Sequence, residues 1–125
     1  MQDHRIQILF VDDDLEFLEV LRDYFEDEGQ AVVTASHALE ALKILESRSF
    51  DLIVSDVDMP KMNGLQFLQE LQNRRVEIPL VFLSAHTNMS ERRALDLGAV
   101  GYFEKPQRLD EMRQRLLMIS ENLRT

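Results

Sequence analysis

Short apolar runs alternate with amphipathic stretches along the whole chain. Residues 6–11 read IQILFV, too short for a helix and suited to a strand buried on both faces. Three consecutive aspartates, Asp12, Asp13 and Asp14, end that run. Helical spacing comes next, with Leu18, Leu21 and Phe25 on one face and Leu15 and Phe17 beside it. Asp14 is placed to cap this first helix and Gly29 to stop it. Residues 31–35 (AVVTA) predict a second strand, and Ser36 then caps a helix whose apolar face is Ala38, Ala41, Leu42 and Leu45.

The second half repeats the pattern. Residues 51–55 predict a third strand, and residues 57–63 a loop, because Pro60 and Asn63-Gly64 interrupt regular structure. Leu65, Phe67, Leu68 and Leu71 mark a third helix. Residues 78–83 predict a fourth strand, with Pro79 near its start, where a missing donor is tolerable. A fourth helix covers residues 89–97 and stops at Gly98, and residues 100–103 predict a fifth strand. Leu109, Met112, Leu116, Ile119 and Leu123 recur three and four apart in a fifth helix.

Five β-α repeats of this kind imply one α/β domain over residues 1–125, a parallel sheet doubly wound by five helices. In such sheets the functional crevice lies beyond the C-terminal ends of the strands. That rule selects Asp12 and Asp13 after strand one, Asp56 after strand three, Ser84 after strand four and Lys105 after strand five.

Charge and composition narrow the chemistry. Twenty-three acidic against 14 basic side chains give a net charge of -9, which argues against nucleic acid as a direct partner. The absence of cysteine excludes disulfides, thiolate metal sites and thiol nucleophiles. No apolar run approaches the roughly 20 residues of a membrane span, and residues 1–5 lack a signal-peptide apolar region. A cytoplasmic, membrane-free protein is the expectation.

Three carboxylates at one sheet edge repel one another unless a cation joins them. With only oxygen ligands at these strand ends, Mg2+ is the expected ion. Asp13 and Asp56 are assigned as direct ligands, the Asp58 main-chain carbonyl as a third, and Asp12 as a ligand through water. Asp56 can then act as a nucleophile for phosphorus, giving an aspartyl phosphate. The Lys105 ammonium and the Ser84 hydroxyl are placed to stabilise phosphoryl oxygens. Each motif alone has a plainer reading: a solvated helix start for residues 12–14, a turn for Asp56-x-Asp58, a surface lysine for Lys105, a hydrogen-bonded strand end for Ser84. Their joint placement favours the phosphate site. His4, His37 and His86 have no paired ligand spacing and read as solvent-exposed.

The segments ILFVDDD (8–14), DLIVSDVDMPKMNG (51–64), IPLVFLSAH (78–86) and LGAVGYFEKP (97–106) together resemble a two-component response regulator receiver domain. The resemblance implies the flavodoxin-like fold with strand order 2-1-3-4-5. It implies a sensor histidine kinase or a phosphotransfer protein as phosphate donor, Asp56 as phospho-acceptor, Ser84 as switch hydroxyl and Tyr102 as switch aromatic. It further implies a phosphorylation-driven change on the face of helix four, strand five and helix five, read by a downstream protein or by a missing output domain. Relatives also dimerise through that face, so a homodimer is allowed. Asp58 and His86 lie where such proteins tune phosphate lifetime, and the Lys105-Pro106 peptide is usually cis among them. Gln107 and Leu39 depart from the family pattern, which often has Phe and Gly there. No enzymatic role beyond Mg2+-dependent self-phosphorylation and autodephosphorylation is expected. The runner-up is a haloacid dehalogenase-like aspartyl phosphatase, because Asp56-Val57-Asp58 after an apolar strand resembles that family's paired aspartates. That family's pair normally opens the chain, in longer enzymes with a cap domain. The sequence ends shortly after the fifth helix, as expected for a stand-alone regulator or for a receiver cut from a longer protein.

Overall fold

The computed structural model describes residues 5–85, 89–105 and 108–124. Among the described residues, strands and helices alternate: β1 (Gln7–Val11), α1 (Leu15–Asp27), β2 (Ala31–Ala35), α2 (Ala38–Leu45), β3 (Leu52–Asp56), α3 (Gly64–Asn73), β4 (Leu80–Ser84), α4 (Glu91–Leu97), β5 (Gly101–Glu104) and α5 (Leu109–Arg124). The five strands form one parallel sheet in the order β2-β1-β3-β4-β5. This is the doubly wound flavodoxin-like architecture expected from the sequence.

The period-two alternation of each strand sorts its side chains between two cores. Leu9, Val11, Ile53, Leu80, Phe82 and Tyr102 face one side, where they pack with α2, α3 and Ala94 of α4. Ile8, Phe10, Leu52, Val54, Val81, Leu83 and Phe103 face the other, against Leu18, Leu21 and Phe25 of α1 and Met112 and Leu116 of α5. Every residue of β3 and β4 is buried, so these central strands are the rigid axis of the sheet. The Phe10 and Phe25 rings meet tilted, with centroids 5.1 Å apart, and tie α1 to β1.

The helix starts obey local chemistry. The Asp14 side chain accepts the Phe17 N–H, and Asn63 and Gln66 form a reciprocal capping box at α3. For α2 the expected cap is corrected from Ser36 to His37, whose Nδ1 accepts the Glu40 N–H at 3.1 Å. Ser36 instead donates its N–H and hydroxyl to the Glu40 carboxylate. The fourth helix begins at Glu91 rather than at Met89, with Ser90 as its cap. Met89 and Ala94 are buried in the same cluster on either side of that cap, a hydrophobic staple. At the far end, Gly98 has φ +114 and the Gln72 side chain donates to the Leu97 carbonyl, so α3 holds the end of α4.

Strand edges move by one or two residues. β3 extends to include Asp56, because its ladder with β4 continues to the pair Asp56 and Leu83. β4 begins at Leu80, since Pro79 has no N–H to give and contributes only its carbonyl, which accepts from Ile53.

Phe25→Ala is expected to lower unfolding free energy by about 3–5 kcal/mol, because Phe25 is fully enclosed. Leu15→Ala, at a side chain that is 64% exposed, is expected to change it by less than about 0.5 kcal/mol. Urea titrations of the two variants check both.

Candidate functional site

Register brings the acidic residues together. Val11, the last residue of β1, is the partner of Ala35 on β2 and of Ser55 on β3. Asp12 and Asp13 therefore leave the sheet beside Asp56, the last residue of β3. The Asp12 N–H still donates to the Ala35 carbonyl, and the Asp12 carboxylate accepts the Asp14 N–H at 2.9 Å. These bonds keep Asp12 buried while Asp13 is exposed. One carboxylate oxygen from each of Asp12, Asp13 and Asp56 lies within 4.8 Å of the other two.

Lys105 enters from the end of β5. Its N–H donates to the Ser84 carbonyl at 2.7 Å, which directs the side chain back toward β1. Its Nζ stands 2.6 Å from Asp12 Oδ2 and 3.6 Å from Asp56 Oδ2. Ser84 comes directly after Leu83, the register partner of Asp56, and is buried. Asp58 donates its N–H to Asp56 Oδ1 at 3.3 Å, and its residue surface is exposed.

One ammonium faces three carboxylates, and Asp56 carries the imbalance. Its carboxyl is pushed up to about 6, first by burial and then by the adjacent Asp12 carboxylate. Lys105 and the Asp58 N–H oppose that rise, and Asp13 adds to it. An all-oxygen donor set this close and this negative fits a hard divalent cation. Asp12, Asp13 and Asp56 are the residues able to hold one.

The structure thus brings Asp12, Asp13, Asp56, Ser84 and Lys105 to one sheet edge. Tyr102 lies on β5 opposite Phe82 and is buried in the core shared with α2, α3 and α4. His86, Pro106 with its peptide to Lys105, and Gln107 lie outside the described residues, as does His4.

Two neighbours of the site were not singled out in the sequence. Phe17 of α1 lies under Lys105, with Nζ 4.8 Å from its ring centroid. Helical spacing marked Phe17 only as apolar. Gly64 opens α3 so close to the sheet that a Cβ would overlap the Asp56 carbonyl oxygen and come within 2.9 Å of Val57 Cα. The Asn63-Gly64 pair signalled a turn but not this approach.

The family model "Response regulator receiver domain" matches residues 8–117. The chain belongs to this family. Response regulator SaeR of Staphylococcus aureus is 36% identical over 100 residues, which cover 79% of this chain and 43% of the relative. The receiver domain thus spans less than half the length of that curated relative. Among solved structures it superposes on the receiver domain of Francisella response regulator 1452 with a TM-score of 0.86 at 27% identity, covering 94% of this chain and 98% of that one. It also matches response regulator protein TrrA of Thermotoga maritima, solved in complex with Mg2+-BeF, with a TM-score of 0.80 at 27% identity, covering 90% and 97%.

The raised Asp56 carboxyl predicts a pH-dependent stability difference. A receiver domain whose folded Asp56 titrates near 6 and whose unfolded Asp56 titrates at 3.8 binds more protons folded than unfolded between those values. Its contribution to stability is greatest below 3.8 and is lost as pH rises through 6. In metal-free protein, Asp56→Asn should therefore stay within about 0.6 kcal/mol of wild type near pH 4. It should exceed wild type by up to about 3 kcal/mol above pH ~7. Urea unfolding in EDTA across that pH range measures the difference.

Proposed function

We propose that this chain is a phosphorylation-controlled switch of a two-component phosphorelay, its receiver domain spanning residues 1–125 and accepting a phosphoryl group on Asp56. The observation that carries this reading is the grouping of a buried Asp56 carboxylate with Asp12 and Asp13 inside 4.8 Å and with the Lys105 ammonium at 3.6 Å. Family membership supports it independently.

The donor is a phosphohistidine on a sensor histidine kinase or a phosphotransfer protein. An Asp56 oxygen attacks phosphorus, the P–N bond breaks, and the histidine nitrogen keeps the electron pair and takes a proton. The product is an aspartyl phosphate. With a carboxyl that titrates near 6, Asp56 is mostly ionised at neutral pH and available for this attack. The Lys105 ammonium turns from Asp12 toward the phosphoryl oxygens, and the Ser84 hydroxyl donates to one of them. The site residues fit Mg2+, with Asp13 and Asp56 as direct ligands, the Asp58 carbonyl as a third and Asp12 acting through water. When bound, Mg2+ would supply positive charge that neutralises the phosphoryl oxygens.

Ser84 and Tyr102 form the switch pair. Movement of the hydroxyl toward phosphate alters the space beside Tyr102, and the change reaches the surface of α4, β5 and α5. A downstream protein, an output domain or a second copy of the receiver reads that surface. The Asp58 side chain and His86 adjust how long the phosphate stays. The domain catalyses only its own Mg2+-dependent phosphorylation and dephosphorylation and works in the cytoplasm. Among the described residues no helix is long and apolar enough to cross a membrane.

Incubation with Mg2+ and acetyl phosphate should add about 80 Da to wild type and nothing to Asp56→Asn by intact mass. An unmodified wild type would sink this reading. Steady turnover of a small phosphate ester would favour the aspartyl phosphatase instead.

Asp13→Ala should weaken Mg2+ binding by at least about tenfold, equivalent to about 1.4 kcal/mol. Undiminished binding by calorimetric titration contradicts the ligand assignment.

A further inference from the structure

The Lys105 ammonium is enclosed on two sides. Asp12 Oδ2 at 2.6 Å and Asp56 Oδ2 at 3.6 Å occupy one side. The Phe17 ring, with its centroid 4.8 Å from Nζ, occupies another. Phe17 is fixed in turn: its own N–H is taken by the Asp14 cap at 3.1 Å, and its side chain packs against the core shared by α1 and α5. The Lys105 side chain keeps only 15% of its exposure.

An ammonium over a ring face is held by the ring quadrupole, more firmly where water is excluded. A lysine also has a long, flexible stem with large rotamer freedom to lose when it is immobilised. The carboxylates hold Nζ by one hydrogen bond, to Asp12 at 2.6 Å, and a longer approach to Asp56 at 3.6 Å, which leaves the flexible stem to be restrained by other contacts. The Phe17 ring, its centroid 4.8 Å from Nζ, supplies a second, directional restraint.

We propose that Phe17 is a positioning residue for Lys105. The α1 ring holds the ammonium at the acidic edge, next to where the phosphoryl oxygens arrive. Phe17 touches neither phosphate nor metal and acts through Lys105. This rests on the phospho-acceptor reading of Asp56. It adds a residue of α1 to a site otherwise drawn from strand ends. It also assigns a task to the third residue after the Asp14 cap: the helix start that caps α1 aims a ring at the lysine of β5.

The test compares wild type with Phe17→Leu and Phe17→Met, which keep an apolar side chain but remove the ring, and with Phe17→Tyr, which restores a ring. Two readouts are used: the proton chemical shift of the Lys105 CεH2 group, and the second-order rate of adduct formation with acetyl phosphate and Mg2+ by intact mass. The Lys105 CεH2 signal is expected upfield of ordinary lysines in wild type and Phe17→Tyr, and at the ordinary position in Phe17→Leu and Phe17→Met. The rate is expected to fall roughly 3- to 30-fold in the Leu and Met variants and to recover in Phe17→Tyr. An unshifted Lys105 signal in wild type overturns the proposal. A full rate in Phe17→Leu and Phe17→Met overturns it as well, and so does a rate that Phe17→Tyr fails to restore, which would make Phe17 a packing residue only. Wild type that takes up no phosphoryl group overturns the phospho-acceptor reading, and this role with it. That failure is distinct from wild-type uptake with unchanged Leu and Met rates, which removes the role of Phe17 alone.

Discussion

Three carboxylates held within 4.8 Å at one sheet edge are the constraint on which the rest of this structure depends. At an effective dielectric of about 20, each pair at that distance repels by about 3.5 kcal/mol. Left to itself, such an edge would splay or take up a proton. The fold opposes this with rigid attachments rather than with neutralisation alone. Asp12 is tied to β2 through its N–H and to the start of α1 through its carboxylate. Asp56 ends a strand buried over its full length. Lys105 then meets two of the three carboxylates with a single charge. The negative excess that remains makes the edge a receptor for positive charge.

Packing around this edge reflects the same need for rigidity. The two hydrophobic layers clamp β3 and β4 from both faces, so the strand carrying Asp56 has little freedom to bend away. Gly64 lets α3 start against the Asp56 carbonyl, and its N–H donates to Val57 at 2.7 Å, closing the loop directly behind the site. Between them, Lys61 takes a left-handed conformation with φ 71. That is an uncommon geometry for a residue with a Cβ, accepted where the loop must turn sharply. Pro60 and Asn63 on either side supply the fixed backbone angle and the helix cap that frame the turn.

Much of this was legible in the sequence because each chemical residue stands where an apolar run stops. Asp12, Asp56, Ser84 and Lys105 are all found at or just past the C-terminal end of a buried strand. The two faces of the sheet were equally readable, since Leu18, Leu21, Phe25, Met112 and Leu116 carry the helical spacing that the core uses. The features that escaped depend on approach between distant segments or on competition between neighbours. Nothing around Phe17 announces a lysine overhead, because that lysine arrives from β5. Gly64 looked like part of a turn, and only the packed sheet reveals the backbone beneath it. Ser36 and His37 are adjacent and both able to cap. Which one did so was decided by Glu40, whose carboxylate engaged Ser36 and left the helix N–H to the imidazole. Asp56 is the last residue of its strand rather than the first past it, because the β4 ladder continues to the pair Asp56 and Leu83.

The bond from Lys105 to Asp12 joins residues 93 positions apart in a chain of 125. Contacts of such long range form only after the intervening chain has closed a large loop, and they are the slow ones in folding. During synthesis the acidic edge exists as soon as β1 and β3 pair, but its lysine is made after most of the domain. A chain interrupted before β5 docks carries the repulsion without the counter-charge. The completed charge set is therefore a property of the finished tertiary structure, and a truncated or half-folded copy has no such site to offer.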